Sequence, residues 1–187
     1  MRITHALAAI AVSIGLMVAG CGNDDETGGG DDAQFNDADV TFAQEMVMHH
    51  QQAIMMASLA TEGAKDPDVV QLAGKILQAQ EPEIETMQNW LKEWDADMSH
   101  SMEGKSHDMP GLMSEHEMSR LASASGLAFD QMFLTMMIEH HEGAIDMAQT
   151  EQADGENPDA IELAEDIEAA QSREVDQMQT MLDQKQP

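Results

Sequence analysis

Through four long stretches of the chain, apolar side chains return every three or four positions. Phe42, Met46, His49, Ala53, Met56 and Ala60 mark the first stretch; Leu72, Ile76, Ala79, Met87 and Leu91 mark the second, with Glu83 in the same row. That is the period of a helix with one face turned to a core, and no run alternates as a strand would. Gly63 closes the first helix, and Asp66-Pro67 opens the second with an N-cap followed by proline at the first helical position. Asn157-Pro158 repeats that opening signal. Pro82 removes one backbone donor and predicts a bend between Gln78 and Pro82; its counterpart is Arg173, so the last long helix should run straighter.

The second pair of stretches is a copy of the first. Phe42-x3-Met46-x2-His49-His50-x2-Ala53-Ile54-x-Met56-Ala57 returns 91 residues on, without a gap, as Phe133-x3-Met137-x2-His140-His141-x2-Ala144-Ile145-x-Met147-Ala148. Pro67, Leu72, Ile76, Gln80, Glu83, Met87 and Leu91 return at the same offset. Two hairpins that each expose an apolar stripe bury it most simply against each other, which predicts an all-α four-helix bundle with an approximate internal twofold. Counting outward from the hairpin turns puts His49 and His50 level with Gln80, and His140 and His141 level with Gln171. Met46 and Met137 fall close to Glu83 and Glu174, with Met87 and Met178 about one turn further along.

Ahead of the repeats, Met1 and Arg2 precede an apolar run from Ala6 to Ala19 that ends in Val18-Ala19-Gly20-Cys21. The run is short for a membrane span and reads as an export signal over residues 1–20. Small residues before the single cysteine resemble a bacterial lipoprotein signal, so Cys21 is the expected lipidation site and the expected location is the cell envelope, with the membrane reached through the lipid alone. An ordinary secretory signal with an incidental cysteine is the alternative. Residues 21–38, rich in Gly and Asp, read as a disordered tether. Residues 39–185 read as one domain: repeat one over 39–96, a linker over 97–126 and repeat two over 130–185. The formal charge of −28 argues against nucleic acid and anionic membrane surfaces as partners.

The linker has few core-forming residues but carries Met98, His100, Met102, His107, Met109 and Met113, and reads as a loop. Beyond it Ser114-Glu-His116-Glu117 has capping-box spacing, and Met118 to Ala124 read as a short helix ended by Gly126. Paired methionine and histidine make a chemical statement. Thioether sulfur is soft and imidazole borderline, a combination suited to Cu(I) and to the similar Ag(I), whereas hard ions would select carboxylate oxygen. Plainer readings stand beside it. Methionine on an apolar stripe is usually core filler, the reading kept for Met55 and Met132, whose counterparts are not methionine. Two imidazoles on a buried face are harder to explain by packing, because their nitrogens need partners. Gln80, Glu83, Gln171 and Glu174 are expected to hydrogen-bond to ligands, and Trp90 and Trp94 to pack.

The repeated histidine motif, followed by Ile76-x2-Ala79-Gln80-x2-Glu83-Ile84-x2-Met87-x2-Trp90-Leu91, resembles the family of domain of unknown function 305, twice and over essentially the whole domain. The second copy departs at Val175 and Met181, which replace Ile84 and Trp90. The resemblance implies a ferritin-like four-helix bundle in exported bacterial proteins, with members linked to copper binding and copper tolerance. Carried over by position, it implies Met46, His49, His50, Met56 and Met87, with Met137, His140, His141, Met147 and Met178, as site residues. The linker residues named above, with His116 and Met118, complete the candidate set.

The expected function is to sequester or buffer copper, chiefly Cu(I), in homeostasis or tolerance, with metal ions and a metal-exchange protein as partners. No nucleophile, base and oxyanion-donor set is recognisable, so an enzyme is not expected. One alternative is a metal-free envelope scaffold whose histidines are satisfied by Gln and Glu. Another is a di-iron ferritin-like oxidase, which needs Glu-x-x-His pairs that the chain lacks.

Overall fold

The computed structural model describes residues 34–96 and 109–185. The expected export signal, Cys21, the tether as far as residue 33, and Met98, His100, Met102 and His107 lie outside the described residues. The described chain is all-α: α1 Asp37–Gly63, α2 Pro67–Glu93, α3 Glu115–Ser123, α4 Gly126–Asp154 and α5 Pro158–Asp183. Helices α1 and α2 form one hairpin and α4 and α5 the other, and α1 against α4 is the main joint between them. No helix among the described residues is long and apolar enough to cross a membrane.

Helix ends follow the local chemistry. Asn36 Oδ1 accepts the Ala38 and Asp39 N–H groups, and Asp39 accepts the Asn36 N–H at 2.6 Å, a capping box that starts α1 at Asp37, inside the segment expected to be tether. Asp66 and Asn157 cap α2 and α5 as their Asp-Pro and Asn-Pro signals predict. A cap of this kind contributes about 1 kcal/mol. Ser114 and Glu117 form the capping box of α3. Gly126 does not end that helix; with φ at +64° it is the first residue of α4, which therefore begins ahead of the expected repeat boundary at 130. Helix α2 continues unbroken through Pro82.

The apolar core consists of two clusters, and the repeat explains their make-up. One holds Met46, Met87 and Met147; the other holds their counterparts Met137, Met178 and Met56. Of these matched methionines, each cluster thus takes two from one repeat and one from the other, as antiparallel packing of α1 on α4 requires. Fully burying a side chain of this size is worth roughly 1.5–3 kcal/mol. On every long helix the break between clusters falls at a polar position: His49-His50 on α1, Gln80 and Glu83 on α2, His140-His141 on α4, Gln171 and Glu174 on α5.

A second matched pair clasps the hairpins together. Asp39 on α1 accepts the N–H groups of Glu156 and Asn157 in the α4–α5 turn, the latter at 2.8 Å. Its counterpart Asp130 on α4 accepts those of Lys65 and Asp66 in the α1–α2 turn, at 2.9 and 3.2 Å. Each hairpin therefore satisfies the turn of the other with a buried carboxylate. Burial alone would raise Asp39; a hydrogen bond from Glu151 and the backbone donors of Asn36, Asn157 and Glu156 outweigh it and hold the group below its ordinary value. Burial, then the contact with Asp39, pushes Glu151 up to about 8, so at neutral pH it keeps the proton that it donates to Asp39. In the first repeat the corresponding position is Ala60, and no such second carboxyl is present there.

Candidate metal centre

Between the two apolar clusters lies a layer of four imidazoles, His49, His50, His140 and His141, each fully buried. His49 and His140 come from the facing helices α1 and α4 and meet at the pseudo-twofold, their ring centroids 3.7 Å apart. The His140 and His141 rings lie 6.4 Å apart. Outward of this pair, His50 Nε2 donates to Glu83 Oε2 and His141 Nε2 donates to Glu174 Oε2, both at 2.7 Å. A carboxylate only accepts, so Nε2 carries a proton in both rings, and Nδ1 of each is left without a hydrogen-bond partner. Glu83 and Glu174 thus orient their histidines as expected, and the equal distances measure how closely the halves repeat. Gln80 and Gln171 border the layer, each with its side-chain oxygen buried and unpartnered.

Five imidazole nitrogens in the layer are buried without a hydrogen-bond partner: Nδ1 of His49, His50 and His141, and both nitrogens of His140. Burying a polar atom unpaired costs on the order of 1–3 kcal/mol. Burial also decides the charge. It drives His49 down to about 3, with His50 adding repulsion and the Pro110 carbonyl opposing it, and holds His140 well below its ordinary value, with His49 and His141 adding repulsion. The central rings are therefore neutral, the form in which imidazole offers a lone pair to a metal. Among the described residues no three His, Cys, Asp or Glu side chains are grouped so as to hold an ion by themselves. Sulfur stands beside them: Met46 lies one turn before His49 and His50, Met137 one turn before His140 and His141, and both are fully buried.

The other expected site residues sort by depth. Met87 and Met178 are fully buried in the clusters flanking the layer, as is Met56, and Met147 is nearly so. Met109 and Met113 are buried, contrary to the expectation that the linker contributes little packing: Met113 belongs to an apolar cluster. His116 is exposed and Met118 half-buried on α3. Met132 packs at the edge of a cluster, but Met55 is 54% exposed and so is not core filler. Trp90 and Trp94 pack beside the other cluster, with Phe35 stacked on Trp94 at 4.9 Å.

Sequence reasoning missed the strap of residues 109–113. Gln52 grips it with two hydrogen bonds of 2.7 Å, donating to the Met113 carbonyl and accepting the Met113 N–H. The Pro110 carbonyl accepts from His49 Nε2 at 3.1 Å. Gln52 has Gly143 as its counterpart, but this is one of several mismatches at the variable positions of the motif, so nothing in the sequence singled it out. Asp39 and Asp130 were also missed, although their matched positions three residues before Phe42 and Phe133 marked them.

Comparison with known proteins agrees with this architecture. The family model described as "Domain of unknown function (DUF305)" matches residues 39–182. A DUF305 fragment from Deinococcus radiodurans has a TM-score of 0.73 at 28% identity, over 80% of this chain and 97% of its own. A Streptomyces coelicolor DUF305 protein, described as secreted, has a TM-score of 0.71 at 28% identity, over 79% and 93%. CopM in its Cu(II)-bound form is 34% identical over 78% of this chain and 96% of its own, with a TM-score of 0.69; CopM is also known in Cu(I)-bound and Ag-bound forms. No curated protein sequence matches the chain.

The layer should cost stability in the metal-free protein. His140→Leu removes two unpartnered nitrogens, and the metal-free variant is expected to be more stable than its parent by roughly 1–3 kcal/mol near pH 7. Below about pH 6.5 the gap should widen, by up to about 1.4 kcal/mol per pH unit. The sign follows from the depressed folded-state value: on acidification the unfolded parent takes up a proton that folded His140 refuses, so the parent alone loses that stability. Thermal unfolding of both proteins at pH 7 and pH 5 measures this. A gap that narrows at pH 5 would mean that His140 is not held neutral by burial.

Proposed function

The chain belongs to the DUF305 family, and we propose that it is a copper-binding protein that takes up Cu(I), and the chemically similar Ag(I), to sequester or buffer the ion rather than to catalyse a reaction on it. The observation that carries this reading is the layer of four buried imidazoles, three of them oriented by a hydrogen bond, with five unpartnered nitrogens, bordered by thioethers at matched positions in both repeats. A purely structural layer would satisfy those nitrogens or dispense with them. The donor set also fits the ion. Cu(I) prefers thioether and imidazole, and the described His, Asp and Glu side chains form no three-ligand group without sulfur. Copper-bound and silver-bound CopM, similar over most of this chain, support the same assignment.

Cu(I) is cargo here, and the residues proposed to hold it are His49, His50, His140 and His141 with Met46, Met87, Met137 and Met178. Met56 and Met147 lie further along the same cores, and the linker's Met and His side chains are proposed as additional ligands. Thioethers do not titrate, whereas an all-imidazole site weakens steeply as histidine charges below about pH 6.5. The expected result is a Cu(I) affinity that falls only moderately between pH 7 and pH 5. Replacing Met46, Met87, Met137 and Met178 with leucine keeps volume near enough for the bundle to fold, and should remove this acid tolerance and shift preference toward Cu(II). Competition with a chromogenic chelator at both pH values measures it, with circular dichroism as the folding check. A leucine variant that binds Cu(I) as the parent does at both pH values would make the methionines core filler.

The reading places the protein in the envelope, anchored through lipidated Cys21 and followed by an acidic tether. The description of the Streptomyces coelicolor relative as secreted supports export. Cys21→Ser is expected to move the protein from the membrane fraction to the soluble one. Unchanged fractionation would remove the lipid anchor from the account.

A further inference from the structure

The twofold that relates the repeats fails at one functional place, the strap of residues 109–113. On α1, Gln52 holds Met113 by both of its backbone groups. On α4 the counterpart is Gly143, where a Cβ would collide with the Pro110 carbonyl and stand 2.7 Å from the Gly111 nitrogen. Gly111 itself has φ at +72°, and a Cβ there would lie 3.0 Å from the His140 carbonyl oxygen. The strap is thus seated on α4 by two glycines and tied to α1 by one glutamine. The result is a carbonyl, that of Pro110, 3.1 Å from His49 Nε2. Pro110 also walls a cleft of about 500 Å³ whose other sides include Phe42, Met147 and Glu151.

Metal-binding histidines commonly donate their second ring N–H to a carboxylate or carbonyl, which sets the tautomer and the ring orientation. Three of the four buried rings have such an acceptor: Glu83 for His50, Glu174 for His141 and Pro110 for His49. His140, the counterpart of His49, has no acceptor at full hydrogen-bond geometry among the described residues, the His49 backbone acting on it only as a weaker contact. We propose that the strap is a positioning device that makes the centre asymmetric: it fixes His49 as the Nε2–H tautomer, ready to ligate through Nδ1, and leaves His140 as the one ring whose tautomer neither a carboxylate nor the strap sets. Gln52 and Gly143 are the positioning residues. This rests on the copper reading for its purpose, but the tautomer it assigns belongs to the metal-free protein.

Two variants displace the strap by different means. Gln52→Ala removes both hydrogen bonds to Met113, and Gly143→Ala inserts a methyl where the Pro110 carbonyl sits. Gly74→Ala, a helix position with open space around it, serves as the control. Long-range ¹H–¹⁵N spectra of the metal-free proteins read the tautomer of each ring. In the parent and in Gly74→Ala, His49 should be a single Nε2–H tautomer. In either strap variant it should become a mixture, while His50 and His141 stay unchanged. Cu(I) affinity by chelator competition should fall about 10–100-fold in the strap variants, the usual cost of losing a ligand's orienting partner. His49 keeping one tautomer in both variants overturns the proposal, as does an Nδ1–H tautomer in the parent. Unchanged Cu(I) affinity despite a lost tautomer would overturn the positioning role. A parent that binds no Cu(I) at all would sink the copper reading, and the metal-free spectra would still decide what the strap does.

Discussion

Four imidazoles buried at the crossing of two helices set the terms for the rest of this structure. The central pair, His49 and His140, is held neutral by that burial, and each nitrogen of the layer without a partner costs free energy that packing elsewhere must offset. The two methionine-bearing apolar clusters lie on either side of the layer, and the matched carboxylates Asp39 and Asp130 tie the hairpins together at both ends. Glu83 and Glu174 serve a second end, because they settle which nitrogen of His50 and His141 is left without a hydrogen-bond partner. What stays unsettled in the protein alone, chiefly His140, is where an added ion has most to gain.

Repetition explains why such a layer could be built at all. A single hairpin brings one Met-x2-His-His segment and one orienting carboxylate; facing two copies across a twofold doubles both and places the rings of His49 and His140 3.7 Å apart. Symmetry also creates a difficulty, since equivalent neutral rings in contact have no reason to take different roles. The 109–113 strap, which belongs to neither repeat, supplies the difference from one side.

The parts legible in the amino-acid sequence were those whose physics is local or repeated. Helix period, the Asp66-Pro67 and Asn157-Pro158 starts and the pairing of hairpins all follow from spacing and an offset of 91 residues, whereas the count put His50 level with Gln80, about one turn short of the Glu83 it meets. Longer-range partners were not legible. Asp39 and Asp130 reach backbone donors in the opposite hairpin, and no local rule connects residues so far apart. Gly126 looked like a helix stop because glycine so often is one, whereas its positive φ here turns the chain into α4. Met55 shows the opposite limit: its neighbours are helical and apolar, yet it faces solvent, since one step along a helix moves a side chain by about 100°. Met109 and Met113 looked like loop ligands by composition and proved to be packed residues as well, because Gln52 draws their segment onto the bundle.

The central claim is that imidazole nitrogen and thioether sulfur act together on one soft ion within the bundle. X-ray absorption at the copper edge of the protein loaded with a single equivalent of Cu(I) tests it most directly. The account predicts a first shell of mixed nitrogen and sulfur, with imidazole outer-shell scattering, and the loss of sulfur when Met46, Met87, Met137 and Met178 are leucine. A first shell of nitrogen and oxygen alone in the unmodified protein would contradict it.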